Sequence, residues 1–185
     1  MANTVLIVVD IQRDYFFGGA LPLDAPETAA ENAKQALDYA RTAAIPVIVV
    51  QHVALSPTAT FFRPNTPGVE LHPYFKPESD DELLVKHFPN AFRSTDLKSR
   101  LDALEARELV LAGMMTHMCI DSTVRHAADL EYPVTLLGDA TATRMLSFNG
   151  RISPAPAVQT AALAALHGTF AQVTTTAEWT HGRGE

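Results

Sequence analysis

Three residues of types that act in nucleophilic and acid–base chemistry each follow an apolar segment of the chain: Asp10, Lys86 and Cys119. Cys119 is the single cysteine and lies at the start of a predicted helix that follows the apolar run 109–112 and Gly113. Backbone N–H groups at a helix start have no intrahelical partner, and the helix dipole adds positive potential there. This setting predicts a lowered thiol pKa and N–H donors for an oxyanion. The plainer interpretation is an unreactive buried cysteine.

Asp10 and Lys86 follow two other apolar segments. Asp10 comes directly after Val5–Val9, and Lys86 comes directly after 82–85. Sites in open α/β sheets lie at the carboxyl ends of the strands, and right-handed crossovers bring those ends to one edge. The alternatives are a capping or loop carboxylate and an ordinary exposed lysine. Because all three residues lie at such ends, the joint prediction is that they meet at one edge.

The elements that would position these residues alternate along the chain. Strands are predicted at 5–9, 45–50, 82–85, 109–113, 133–137 and 169–175, and helices at 26–43, 97–104, 116–130 and 155–166. This alternation predicts an α/β fold with three layers, α-β-α, around a central, mostly parallel six-stranded sheet of Rossmann-like type. The length of 185 residues predicts a single domain over 1–185.

Composition restricts the classes of function. Hydrophobic residues make up 47% of the chain and the net charge is −7, which favours a globular protein that binds neither nucleic acid nor an anionic membrane. A single cysteine excludes internal disulfides and fits a reducing compartment. The N-terminus lacks a basic region, and Val5–Val9 is too short for a signal or membrane segment. We therefore expect a cytoplasmic protein.

No cofactor or metal site is predicted. No glycine-rich phosphate-binding motif follows the first strand. His52 and His72 lack a suitable ligand two or four residues further on, so we interpret them as surface residues. The long proline-rich loop at 56–77 is instead predicted to form a pocket wall, with Phe61, Phe62 and Tyr74 as candidate lining residues.

Three ordered motifs carry a resemblance to a known family. They are 8–16 (VVDIQRDYF); Lys86-His87 with 90–92 (NAF) and 95–97 (TDL); and 113–119 (GMMTHMC) with Thr123, followed by Asp139-Ala140. Their order resembles that of the isochorismatase-like cysteine hydrolases, which include nicotinamidases, N-carbamoylsarcosine amidohydrolase and ureidoacrylate amidohydrolases. Each motif alone is weak, but together they cover nearly the whole chain. The resemblance implies the isochorismatase-like version of the predicted fold.

The resemblance also implies a set of site residues. The family's Asp–Lys–Cys triad corresponds to Asp10, Lys86 and Cys119. Its non-proline cis peptide falls between Met114 and Met115, where it would turn the Met115 N–H toward the Cys119 N–H and form an oxyanion hole. Five further residues are predicted to bind substrate or anchor the pocket: Gln12, Phe16, Phe62, Phe92 and His117.

One departure from the family pattern affects the expected activity. Metal-dependent nicotinamidases carry Asp-x-His after the second strand, where this chain reads Gln51-His52-Val53. The expectation is therefore metal-free hydrolysis of an amide or carbamoyl-type C–N bond through a thioester on Cys119. An isochorismatase-type vinyl-ether hydrolase using Asp10 as the acid, and a non-catalytic ligand-binding protein, remain open alternatives. The expected partners are a small-molecule substrate and, as in the family, other copies of the chain in a homo-oligomer.

Overall fold

The computed structural model describes residues 3–182, which form a central parallel sheet covered by helices on both faces. The six strands of this sheet are β1 (Thr4–Val9), β2 (Val47–His52), β3 (Glu82–Lys86), β4 (Glu108–Met114), β5 (Val134–Ala142) and β8 (Gln172–Thr174). The helices are α1 (Pro26–Thr42), α2 (Leu97–Ala103), α3 (Asp121–Asp129), α4 (Ala155–Leu166) and α5 (Thr176–His181). A two-stranded hairpin pairs β6 (Leu146–Phe148) with β7 (Arg151–Ser153).

The strand order is β3-β2-β1-β4-β5-β8, and every neighbouring pair is parallel. This confirms the predicted fold class. Strand β5 runs to Ala142, past the predicted end at 137, and its pairing with β4 shifts register between Leu111 and Gly113. Strand β8 has three residues, shorter than the predicted strand 169–175, and all three pair with β5.

The β6–β7 hairpin and helix α5 were not predicted, although short sequence patterns indicate both. Asn149 and Gly150 both have positive φ and connect β6 to β7, and Asn-Gly is a strong hairpin signal. Thr175 and Glu178 form a capping box at the start of α5. Both elements could therefore have been found from the sequence.

The residues of β1 alternate between two apolar cores, because successive strand side chains point to opposite faces. Leu6 and Val8 join the core under α1 and α5. Val5, Ile7 and Val9 join the core under α2, α3 and α4. The central strand is thus buried on both faces, as its continuous apolar run predicts. Within residues 3–182, no helix combines the length and apolar character needed to cross a membrane.

Gly113 allows the end of β4 to lie close against β1. Its φ is +131°, and an added Cβ would lie 2.0 Å from the Val9 carbonyl oxygen. No side chain fits there, so the close approach of the two strand ends requires glycine. This approach brings the turn after β4 next to the residue that follows Val9, which is Asp10.

We expect Gly113→Ala to lower the free energy of unfolding by at least about 2 kcal/mol, because the new Cβ meets backbone atoms that cannot move aside. Urea denaturation measures this. The matched control is Gly150→Ala, where φ is also positive but no heavy atom lies within 4 Å of the new Cβ. The control substitution should lower the free energy of unfolding by about 1 kcal/mol. Equal decreases in the two variants would contradict the packing argument.

Candidate active site

Three strand ends place Asp10, Lys86 and Cys119 at one edge of the sheet. Asp10 directly follows β1, adopts a left-handed φ of +52° and donates its N–H to the Val50 carbonyl over 3.0 Å. Lys86 is the last residue of β3. Cys119 lies in a π-helical turn, Thr116–Ile120, that precedes α3. The apolar spacing predicted that Cys119 lies in the first turn of an α-helix. That prediction was wrong, because this turn is π-helical and α3 begins only at Asp121.

The Lys86 ammonium connects the other two side chains. Its Nζ lies 2.6 Å from Asp10 Oδ2 and 3.3 Å from Cys119 Sγ. Asp10 and Lys86 are 0% exposed and Cys119 is 5% exposed. The structure thus brings together the three residues that the sequence predicts to meet. A carboxylate and an ammonium therefore lie beside a thiol that is almost completely buried.

Burial controls the protonation of Asp10. It raises the pKa of the Asp10 carboxyl, with the Lys86 charge acting in the opposite direction. A carboxyl whose pKa is raised is a stronger base than an exposed one, which suits it to accept a proton from the neighbouring thiol.

Burial also controls the pKa of the Cys119 thiol, and it acts in the direction opposite to the sequence prediction. The pKa of Cys119 is raised by burial and by the charge of Asp10, while Lys86 opposes the shift. The expected lowering of the thiol pKa at a helix start was therefore wrong, because desolvation exceeds the effect of nearby N–H groups. The resting residue is therefore a protonated thiol.

The turn that leads to Cys119 begins at a cis peptide bond between Met114 and Met115. The carbonyl of Met115 accepts the N–H groups of Met118 and Ile120, which fixes the turn to the end of β4. The role of the Met115 and Cys119 N–H groups as oxyanion donors stays a prediction.

Gln12 fastens the loop after β1 to the end of β2. Its side-chain oxygen accepts the His52 N–H over 2.8 Å, and its nitrogen donates to the carbonyls of His52 and Val69 over 2.9 and 2.7 Å. Gln12 is fully buried. These contacts make it an anchor of the loop beside Asp10, and contact with substrate stays a prediction.

His52 is not the surface residue that its sequence context suggested. It is the last residue of β2, the register partner of Lys86, and its Nδ1 lies 3.0 Å from Lys86 Nζ. Burial and the Lys86 charge lower the pKa of His52 to about 3, so its ring is neutral. Sequence reasoning missed this residue because its partner lies 34 positions away.

The predicted aromatic pocket residues are placed differently from one another. Phe16 stacks on His72 with ring centroids 4.6 Å apart and lines a surface groove of about 670 Å³ with Phe17 and Phe61. Phe62 is buried, with its ring centroid 5.7 Å from that of His52. The long loop that carries Phe61 and Phe62 therefore packs toward the candidate site.

Two other predicted pocket residues, Phe92 and His117, lie in different surroundings. Phe92 packs on the core under α2 and α3 and stacks on His126 with centroids 4.9 Å apart. His117 lies two residues before Cys119, and its Nδ1 is hydrogen-bonded to the Thr143 hydroxyl after β5. Contact of Phe92 and His117 with substrate stays a prediction.

Asp14 is a site-supporting residue to which the sequence assigned no role. Its carboxylate accepts the N–H groups of Phe62 and Ala20 over 2.6 and 3.1 Å. The backbone at Gly68 approaches so closely that a Cβ there would lie 2.0 Å from Asp14 Oδ1. Asp14 thus holds the long loop against the loop after β1, through contacts that no local pattern indicates.

Asp10, His52 and Cys119 also present one oxygen, one nitrogen and one sulfur within 4.8 Å of one another. Such a set resembles a metal site in ligand type. The Lys86 ammonium, however, lies within hydrogen-bonding distance of all three side chains. The positive charge that these three side chains surround is that of the Lys86 ammonium.

The fold and this edge of the sheet define a class of α/β proteins with a cysteine beside a buried Asp–Lys pair. Comparison with known proteins gives the family. The family model described as "Isochorismatase domain" matches residues 4–178, so the chain belongs to the isochorismatase family of hydrolases.

Three relatives illustrate this membership. The uncharacterized isochorismatase family protein YddQ of Bacillus subtilis is 46% identical over 94% of this chain and 97% of its own length. The ureidoacrylate amidohydrolase RutB of Stutzerimonas stutzeri is 30% identical over 76% of this chain and 70% of its own. A crystal structure of a candidate isochorismatase hydrolase from Oleispira antarctica superposes with a TM-score of 0.92 at 39% identity, covering 96% and 95% of the two chains.

The charges around the thiol lead to a prediction about its reactivity. Asp10→Asn removes a negative charge that raises the pKa of Cys119 and leaves the Lys86 ammonium to stabilise the thiolate. We expect iodoacetamide to alkylate Cys119 about tenfold faster at pH 7.5 in this variant, as measured by intact mass.

The control for this comparison is Asp121→Asn, since Asp121 lies two residues from Cys119 but pairs with Arg125 over 2.9 Å. Its alkylation rate should match the unmodified protein. Slower alkylation in Asp10→Asn would contradict this prediction. It would mean that Asp10 promotes formation of the thiolate in the resting protein.

Proposed function

We propose that the protein hydrolyses the C–N bond of a small amide or carbamoyl-type molecule through a thioester on Cys119. The observation that carries this proposal is the buried Lys86 Nζ, 2.6 Å from Asp10 Oδ2 and 3.3 Å from Cys119 Sγ. The amidohydrolase relative supports a carbon–nitrogen bond as the target.

The first half of the reaction forms the thioester. Asp10 accepts the Cys119 thiol proton, which its raised pKa favours. The sulfur attacks the substrate carbonyl, and the N–H groups of Met115 and Cys119 hold the oxyanion. In other hydrolases, loss of one oxyanion donor costs about 2.7–4 kcal/mol. Asp10 then gives its proton to the leaving nitrogen, so that the amine or ammonia departs.

The second half releases the acid. Asp10, again a carboxylate, accepts a proton from water as the water oxygen attacks the thioester carbonyl. The tetrahedral intermediate collapses, the C–S bond breaks, and the proton returns from Asp10 to the sulfur. Lys86 keeps its charge throughout and stabilises whichever of Asp10 and Cys119 is negative.

One observation supports a second candidate. A buried carboxyl with a raised pKa can also protonate a vinyl ether, which would make Asp10 the acid of an isochorismatase-type reaction. That reaction forms no bond to sulfur. Release of pyruvate that survives in Cys119→Ala would identify it.

The proposal is tested by screening small amides, ureas and carbamates for ammonia release. On a substrate so found, we expect Cys119→Ala, Asp10→Asn and Lys86→Met each to lower kcat by about 10³-fold or more, because the three groups act as a unit. Asp121→Asn serves as the control and should retain activity. Full activity in Cys119→Ala would refute the thioester route, and ligand binding without turnover of any compound would indicate a non-catalytic protein.

The pH dependence of kcat/KM provides a separate check. The base must be unprotonated, and burial raises the pKa of Asp10 above its ordinary value of 3.8. We therefore expect an acid limb in which activity falls as the pH decreases, with a midpoint above 3.8 that belongs to the coupled triad. An acid limb with its midpoint at or below 3.8 would contradict Asp10 as a buried base.

A further inference from the structure

His52 lies on the strand between the two members of the buried ion pair. Lys86 is on β3 and Asp10 follows β1, so the lysine side chain crosses the end of β2 to reach the carboxylate. His52 is the last residue of β2 and the register partner of Lys86. The ring is thus beside the ammonium at the point where the lysine crosses.

The Lys86 ammonium has more acceptors than hydrogens. Four atoms surround Nζ: Asp10 Oδ2 at 2.6 Å, His52 Nδ1 at 3.0 Å, the Phe88 carbonyl at 3.1 Å and Cys119 Sγ at 3.3 Å. An ammonium donates only three hydrogens. In this structure the His52 ring, the Phe88 carbonyl and the Cys119 sulfur lie in hydrogen-bond geometry with the ammonium, and Asp10 Oδ2 lies against it as an ion pair.

Gln12 and Phe62 hold His52 in place beside the ammonium. Gln12 binds both the N–H and the carbonyl of His52, and the buried Phe62 lies against the ring. Nδ1 accepts a hydrogen only when it is unprotonated. Burial and the Lys86 charge keep the pKa of His52 near 3, so the acceptor persists across the working range.

We propose that His52 is a positioning residue, whose neutral Nδ1 holds the Lys86 ammonium between Asp10 and Cys119. The use of this contact in catalysis rests on the proposed function. With His52 and the Phe88 carbonyl each holding one hydrogen, the third is left to follow the negative charge. In this structure that hydrogen faces the sulfur, so it stabilises the thiolate that remains when the thiol proton moves to Asp10, and Lys86 gains or loses no proton.

The test compares His52→Leu, which removes the acceptor, with His52→Asn, whose Oδ1 replaces Nδ1 as an acceptor. His52→Phe keeps the ring without an acceptor and replaces the leucine variant if that variant does not fold. His181→Leu, on the exposed end of α5, is the control. Circular dichroism and thermal melting establish that each variant is folded.

In His52→Leu the hydrogen released from the ring turns toward Asp10 and the sulfur, so more positive charge faces the thiolate. The thiolate then forms at lower pH, and the proton for the leaving group is lost to solvent. We expect kcat to fall about tenfold or more with KM changed less than about threefold. We also expect the midpoint of Cys119 alkylation against pH to move down by about half a pH unit or more. His52→Asn should restore both quantities.

The alkylation profile reports on a set of neighbouring charges. The titratable groups near Lys86 and His52 are Asp10 after β1, His87 after β3, Cys119 before α3 and Tyr15 in the loop after β1. All of these are unchanged in the variants, so a shift in midpoint is assigned to the loss of the acceptor.

Two results would overturn the proposal: an unchanged alkylation midpoint in a folded His52→Leu or His52→Phe, or a failure of His52→Asn to restore the midpoint. Alkylation needs no substrate, so it decides the role of His52 even if no compound is hydrolysed. Absence of turnover in the unmodified protein would refute the proposed function alone.

Discussion

The rest of the site depends on the buried ion pair between Lys86 and Asp10. Both side chains are completely removed from solvent. Such a pair is stable only when further hydrogen bonds replace the lost water, and an unpaired charge would be strongly unfavourable. His52 and the Phe88 carbonyl provide these bonds to the ammonium. The cost of burial is thus offset by a ring of acceptors, which also fixes where the ammonium lies.

The sheet makes this pair possible by bringing distant segments to one edge. Gly113 lets β4 approach β1, and Gln12 fastens the loop after Asp10 to His52. Asp14 then holds the long loop, with Phe62, over the same edge. Each contact joins residues far apart in the chain, so the geometry of the site is a property of the whole fold.

The same burial determines the chemistry that we propose. In water, a cysteine near a helix start and an ammonium would be expected to exist as a thiolate. Here the loss of solvation, together with the Asp10 charge, keeps Cys119 as a thiol. A raised pKa on Asp10 makes the carboxyl a suitable acceptor for the thiol proton. The proposed reaction therefore relies on proton transfer from Cys119 to Asp10.

The sequence by itself determined the alternation of strands and helices, the parallel sheet and the meeting of Asp10, Lys86 and Cys119. Apolar runs, helical spacing and the rule that parallel strands end at one edge are local or topological, so they can be read without coordinates. Only the tertiary structure decided the protonation of Cys119 and the contact between His52 and Lys86. Burial and pairing depend on which distant groups exclude water and supply hydrogen bonds, and no local pattern in the chain records that.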